Sequence, residues 1–221
     1  MSAPAERPQV ARTGVKLSLG GAELTGELTA PAGATADVLV TPGSGPHSRG
    51  SRVIAGRLQA GGFTTLVMDL LTPGERRQRK LLFDVDWLAE RLQGVTAWLR
   101  GRSGDCDCRL GVVVAATQAA AALQVAAQQE SEMAALVCLC GRPDLAGVSL
   151  PRVTAPTLLV VGGEDGPVLE FNRRASRMLR CACRLEVLPD WRPNSPTSEA
   201  EFQVAEHAHA WLSQHLTPVE C

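Results

Sequence analysis

Apolar and polar positions alternate over Val15–Leu19 and again over Ala22–Thr29, with Gly20-Gly21 between them. Strict alternation turns one strand face inward, and a glycine pair supplies the positive φ angles of a tight turn. This stretch therefore predicts a β-hairpin. The pattern then changes. Asp37–Thr41 and Thr64–Asp69 read as short strands, and the segment from Gly50 to Ala60 between them reads as a helix stopped by Gly61-Gly62. Thr72–Phe83 carries GERRQRK and predicts a solvated surface loop. From Val85 to Arg100 the residues Trp87, Leu88, Leu92, Val95 and Leu99 fall at helical spacing.

Strand–helix alternation continues to the end. Leu110–Val114 precedes a helix over Thr117–Gln129, and Ala134–Leu139 precedes GRPDLAG. Thr157–Val161 precedes a helix over Val168–Arg180, and Arg184–Leu188 precedes one over Glu199–Leu216. Short apolar strands alternating with helices imply a mostly parallel sheet covered on both faces. The uncharged run from Leu110 to Gln129 has the length of a membrane span. Its alanines and glutamines fit a buried strand and helix better, so no membrane partner is expected.

Composition narrows the picture. The chain has 221 residues, 45% hydrophobic, which suits one globular domain, expected over residues 13–217. Residues 1–12, with Pro4 and Pro8, read as a disordered lead-in without a secretory core, and residues 218–221 as a short tail. A formal net charge of -1 creates no field for nucleic acid. A cytoplasmic protein is expected, with no cofactor.

Six of the seven cysteines form Cys-x-Cys pairs: Cys106/Cys108, Cys138/Cys140 and Cys181/Cys183; the seventh is Cys221. Residues i and i+2 on a strand share a face, so a metal or redox site is conceivable. Zinc ligands usually stand two to four residues apart, and free cysteine is commonly a small core residue. The expected fold also separates the middle pair from the other two. Core packing is favoured, and no metal site is assigned.

Several stretches in order, LVMDLLTPGERRQRKLLFDVDWLAERL, AAAALQVAA, GRPDLAG, LPRVTAPTLLVVGG and EDGPVLEFNRRA, give the chain a family likeness from about Asp37 to Leu216. It resembles the dienelactone-hydrolase-like branch of the α/β-hydrolases, in short bacterial forms sometimes fused to phosphoribosyltransferase domains. The resemblance implies an α/β-hydrolase fold: a mostly parallel central sheet with an N-terminal antiparallel hairpin and helices on both faces. It also implies a serine nucleophile on a tight G-x-S-x-G turn, a histidine base and an orienting acid.

Those residues are only partly present. Leu110–Leu123, LGVVVAATQAAAAL, is similar to the family's LGYFGASTGAAAAL without a gap, which puts Val114 and Gln118 on the two glycines and Ala116 on the serine. With bulk at both glycines, the turn is expected to relax. A one-residue shift would instead put Thr117 at the apex, where its hydroxyl needs an activating base; its plainer role is capping the following helix. The histidine turn reads LPDWRPNS and puts Pro193 on the base. His207, His209 and His215 lie in the terminal helix, leaving His47 nearest the expected pocket. Asp165 matches the family acid, and with no histidine to orient it would close a turn or cap a helix. Cys140 follows the elbow helix rather than sitting in the elbow and has no visible acid–base partner. The oxyanion loop reads PGSG where the family often has HGSG, so Gly43, Ser44 and Gly45 form a vestigial anion nest.

Three functions compete. One is a catalytically degenerate hydrolase that binds a small molecule, a protein partner or its own copy. Another is an active ester or lactone hydrolase using Thr117 with His47. The last is a thiol-based metal or redox protein.

Overall fold

The computed structural model describes residues 10–41, 48–102, 108–128, 132–189, 191 and 198–216. β1 (Val10–Leu19) and β2 (Ala22–Pro31) form the hairpin, and Gly20 and Gly21 carry φ angles of 57° and 75° in its turn. The hairpin is longer at its open end than side-chain alternation predicts. Val10 pairs with Pro31 and Arg12 with Thr29, so residues 10–12 of the expected lead-in are strand. Backbone partners decide this, because β2 offers N–H and C=O groups as far as Ala30 and a C=O at Pro31.

β3 (Ala36–Thr41), β4 (Phe63–Met68), β5 (Arg109–Ala115), β6 (Met133–Leu139), β7 (Thr157–Gly162) and β8 (Cys183–Leu188) complete an eight-stranded sheet among the described residues. Its order is β1-β2-β4-β3-β5-β6-β7-β8. The strands from β4 to β8 run parallel, and β2 joins them by antiparallel pairing with β4. Every residue of β3, β4 and β7 is buried, which explains the apolar runs Val38–Val40, Leu66–Met68 and Leu158–Val161 within them. Gly26 is required where β2 meets β4: a Cβ there would lie 2.7 Å from the Val67 carbonyl oxygen.

Helices cover both faces. On one, α3 (Val85–Arg102) and α4 (Gln118–Ala126) bury Leu88, Leu92, Leu99 and Ala119–Leu123 against β5 and β6. α5 (Gly166–Met178) and the 3₁₀ segment Pro143–Arg152 extend that layer. On the other, α1 (Arg49–Ala60) and α6 (Ser198–Leu216) bury Ile54, Leu58, Val204, Ala208 and Leu212.

The charged run after β4 has the surface exposure its composition predicts, with Arg77, Gln78, Arg79 and Lys80 exposed, but it is not a loop. It folds into a 3₁₀ turn, Glu75–Arg77, and a short helix, Arg79–Leu82. Glu75 accepts two hydrogen bonds from Arg91 of α3, at 2.7 and 2.8 Å, and Arg91 also donates to the Leu70 carbonyl at 2.8 Å. The Arg91 side chain is only 2% exposed and its guanidinium lies 3.8 Å from the Trp87 ring centroid. Burial alone would raise the Glu75 carboxyl, but the bonds from Arg91 and Thr72 outweigh it and hold that group below its ordinary value. A buried guanidinium needs such a partner, so the sequence's charges are recruited inward.

Candidate functional site

The sheet order reverses between β3 and β5, and ligands of open α/β sheets bind outside the carboxyl ends of strands at such a point. β5 ends there and turns into α4 through Ala116 and Thr117. Ala116 adopts a φ of 53°, a left-handed conformation that costs an alanine about 1–2 kcal/mol. Hydrogen bonds hold it there. The Ala116 N–H donates to Leu139 O at 3.3 Å, and its carbonyl accepts from Arg142 N at 3.0 Å and Ala119 N at 3.3 Å. The turn is therefore tight despite Val114 and Gln118 on either side, contrary to the relaxation expected from their bulk. Val114 is absorbed into the core, and Gln118 folds inward, 3% exposed, with Nε2 3.4 Å from Asp69 Oδ1.

Thr117 does not hold the apex. Its backbone is right-handed helical (φ -69°, ψ -22°), and the hydroxyl donates to the Leu82 carbonyl at 2.5 Å. It makes no side-chain cap to α4; instead the hydroxyl ties the elbow to the helix Arg79–Leu82.

Beside the elbow, β6 is followed by Cys140, with φ 40°, whose N–H donates to Val160 O at 2.8 Å. Burial pushes the Cys140 thiol up to about 11, and the Asp165 carboxylate adds in the same direction against a hydrogen bond from the Gly162 backbone. A thiol held protonated is a poor nucleophile at neutral pH. Asp165 precedes α5 and its Oδ1 accepts from Val168 N at 3.3 Å, the capping role available to it without a histidine.

Gly43, Ser44, Gly45, His47 and Pro193 lie outside the described residues. The three described histidines are all on α6 and engaged elsewhere. His209 Nε2 is 3.3 Å from Ser213 Oγ, the His215 ring packs 4.4 Å from that of Trp211, and His207 Nδ1 is 3.9 Å from Glu186.

Asp69, Arg76 and Gln118 form a polar group next to the elbow that residue spacing did not reveal. Asp69, 4% exposed at the end of β4, accepts from Leu71 N at 3.0 Å and pairs with Arg76. Burial lowers the Arg76 guanidinium below its ordinary value. The buried Gln118 Oε1 finds no hydrogen-bond partner among the described residues. A lone carboxylate closing an apolar strand, in VMDLL, was the available signal.

The cysteines divide differently from the paired reading. Cys138 packs in the same core layer as Cys181 and Cys183, near enough for those thiols to affect its protonation, whereas Cys140 packs on the opposite face. The left-handed turn after β6 breaks the i, i+2 relation, so the expected separation of the middle pair holds for Cys140 and fails for Cys138. Cys106 and Cys221 lie outside the described residues. Among the described residues, no three histidine, cysteine, aspartate or glutamate side chains could hold a metal ion. No described helix is long and apolar enough to cross a membrane.

No protein-family model matches the chain. It is 38% identical to the crystal structure of a dienelactone hydrolase from Anabaena variabilis, covering 94% of this chain and 99% of that one, with a TM-score of 0.84. The esterase domain of a Rhodothermus marinus protein shares the fold at 16% identity and a TM-score of 0.74, covering 94% of this chain and all of that one. Two Mycobacterium tuberculosis proteins, from strains CDC 1551 and H37Rv and each provisionally named a phosphoribosyl transferase, are 41% identical over 204 residues. Those residues make up 91% of this chain and 46% of the relatives, so the chain spans about half the length of the curated relatives it matches.

Proposed function

Because the chain belongs to the dienelactone-hydrolase family of α/β-hydrolases, we propose that it is a catalytically degenerate member that acts by binding. Its ligand would be a small molecule in the vestigial pocket, a protein partner or a second copy of itself. One observation carries the reading: the left-handed elbow position, where the family's serine would sit, is Ala116, whose methyl group cannot attack a carbonyl. With Pro193 at the histidine position, neither nucleophile nor base remains. Triad members act as a unit, so only weak catalysis from residual binding would survive. Thr117 is a poor replacement, since its hydroxyl is committed to Leu82.

The phosphoribosyl transferase name belongs to longer proteins of which this chain matches less than half. The proposed role of the matching portion is a binding module, in the cytoplasm and without nucleic-acid or membrane partners. Hydrolysis of activated esters and lactones tests the proposal. Wild type, Ala116→Ser and Thr117→Ala should share the same weak residual rate, with no gain from the serine and no loss from the alanine. Wild-type turnover abolished by Thr117→Ala would overturn it and identify an unusual nucleophile.

A further inference from the structure

We propose that Cys181 and Cys183 form a redox-modification site that closes to an intramolecular disulfide by exchange with a small anionic disulfide. Both thiols are partly exposed and both pack against the α3–α4 side of the sheet. Both also border one residue: Cys181 Sγ is 3.9 Å from Thr157 Oγ1, and Cys183 is the register partner of Thr157. Residues two apart span at most about 7 Å when fully extended. Cys181 lies in a bend before β8, which shortens that span toward the separation a disulfide needs. β8 pairs with β7 and is largely half-buried, so its first residues can shift without opening the core.

The surroundings select the co-reactant. The local sequence is Arg-Cys-Ala-Cys-Arg; Arg177 and Arg180, just before the two thiols, are exposed, whereas Arg184 alternates to the other face of β8 and pairs with Glu186. Such a rim raises the local concentration of an anionic disulfide. In the reaction, at mildly alkaline pH where a fraction of the raised thiols ionises, the Cys181 thiolate attacks the small disulfide, forms a mixed disulfide and expels one small thiolate. The other cysteine thiolate then attacks the protein-bound sulfur and expels the second. The two protons lost by the cysteines end on the two released thiols; the protein dithiol is oxidised and the small disulfide reduced. Burial raises both thiols, Cys183 to about 11, with the neighbouring Cys181 adding to the effect on Cys183. Weakly stabilised thiolates make the dithiol strongly reducing, so the closed disulfide persists once formed.

The test treats the reduced, native full-length protein with oxidised glutathione, an anion, or cystamine, a cation. Trypsin then cuts after Arg180 and Arg184 to release Cys181–Arg184. The expected product is this tetrapeptide two hydrogens lighter, formed at least about threefold faster with oxidised glutathione at low salt. Arg177→Gln, which leaves both cleavage sites in place, should narrow that ratio. Cys183→Ser should accumulate a stable glutathione adduct at Cys181. The proposal is overturned by an unmodified tetrapeptide, by a disulfide that instead joins Cys138 or Cys140, or by equal or faster closure with cystamine.

Discussion

Replacing Glu75 by glutamine would strand the Arg91 guanidinium. Arg91 is 2% exposed and Glu75 17%, and the two carboxylate bonds are the strongest that guanidinium makes. The Leu70 carbonyl and the Trp87 ring would remain, while Nε has no hydrogen-bond partner among the described residues. Removing one member of a buried pair costs about 3–5 kcal/mol because an uncompensated charge is left behind. The surviving contacts put Glu75→Gln at the lower end, about 3 kcal/mol, or about 6–12 °C in Tm for a chain of this size. Arg91→Met should cost less, since it removes the buried charge and leaves Glu75 near water. The effect depends on pH with a definite sign. The folded carboxyl lies below its ordinary value of 4.5, so its contribution is present above that value and is lost as pH falls through the folded one. Denaturant unfolding of wild type, both single variants and the double variant, at pH 7 and in the acid range, measures this. Glu75→Gln should also flatten the acid limb. A cost below about 1 kcal/mol would refute the reasoning, because that is what a solvated surface pair contributes.

Gly26→Ala should destabilise by about 1–3 kcal/mol in denaturant unfolding, because its Cβ would meet the Val67 carbonyl oxygen at 2.7 Å and Met68 Cβ at 2.9 Å. Thr117→Val should cost about 1 kcal/mol by leaving the Leu82 carbonyl unmatched, and should leave ester hydrolysis at the same weak residual rate. Burial, and then Arg57, lowers His209 below its ordinary 6.5, so its NMR titration midpoint should fall below that value. Stability tied to neutral His209 is present above pH 6.5 and declines as pH falls, and His209→Gln should reduce that slope.

Strand and helix order was legible along the chain because burial imposes a period: alternation over β2, continuous apolar runs in β3 and β7, and helical spacing from Leu88 to Leu99. Gly20-Gly21 carried its own conformation, since few other residues accept two successive positive φ angles. The sequence likewise marked Ala116 as the elbow residue, through a gapless match to a family pattern. Only the tertiary structure decided that the elbow stays tight, because long-range hydrogen bonds to the Leu139 carbonyl and from the Arg142 N–H hold a conformation that alanine alone disfavours. The same holds for Glu75 and Asp69, whose surroundings are supplied by α3 and by the strap after β4. It holds too for Cys138, which meets Cys181 and Cys183 through β7 rather than through Cys140. Local pattern specifies which face of an element is apolar. Which charged or strained residue finds a partner depends on contacts far apart in the chain, and those exist only once the sheet has set its strand order.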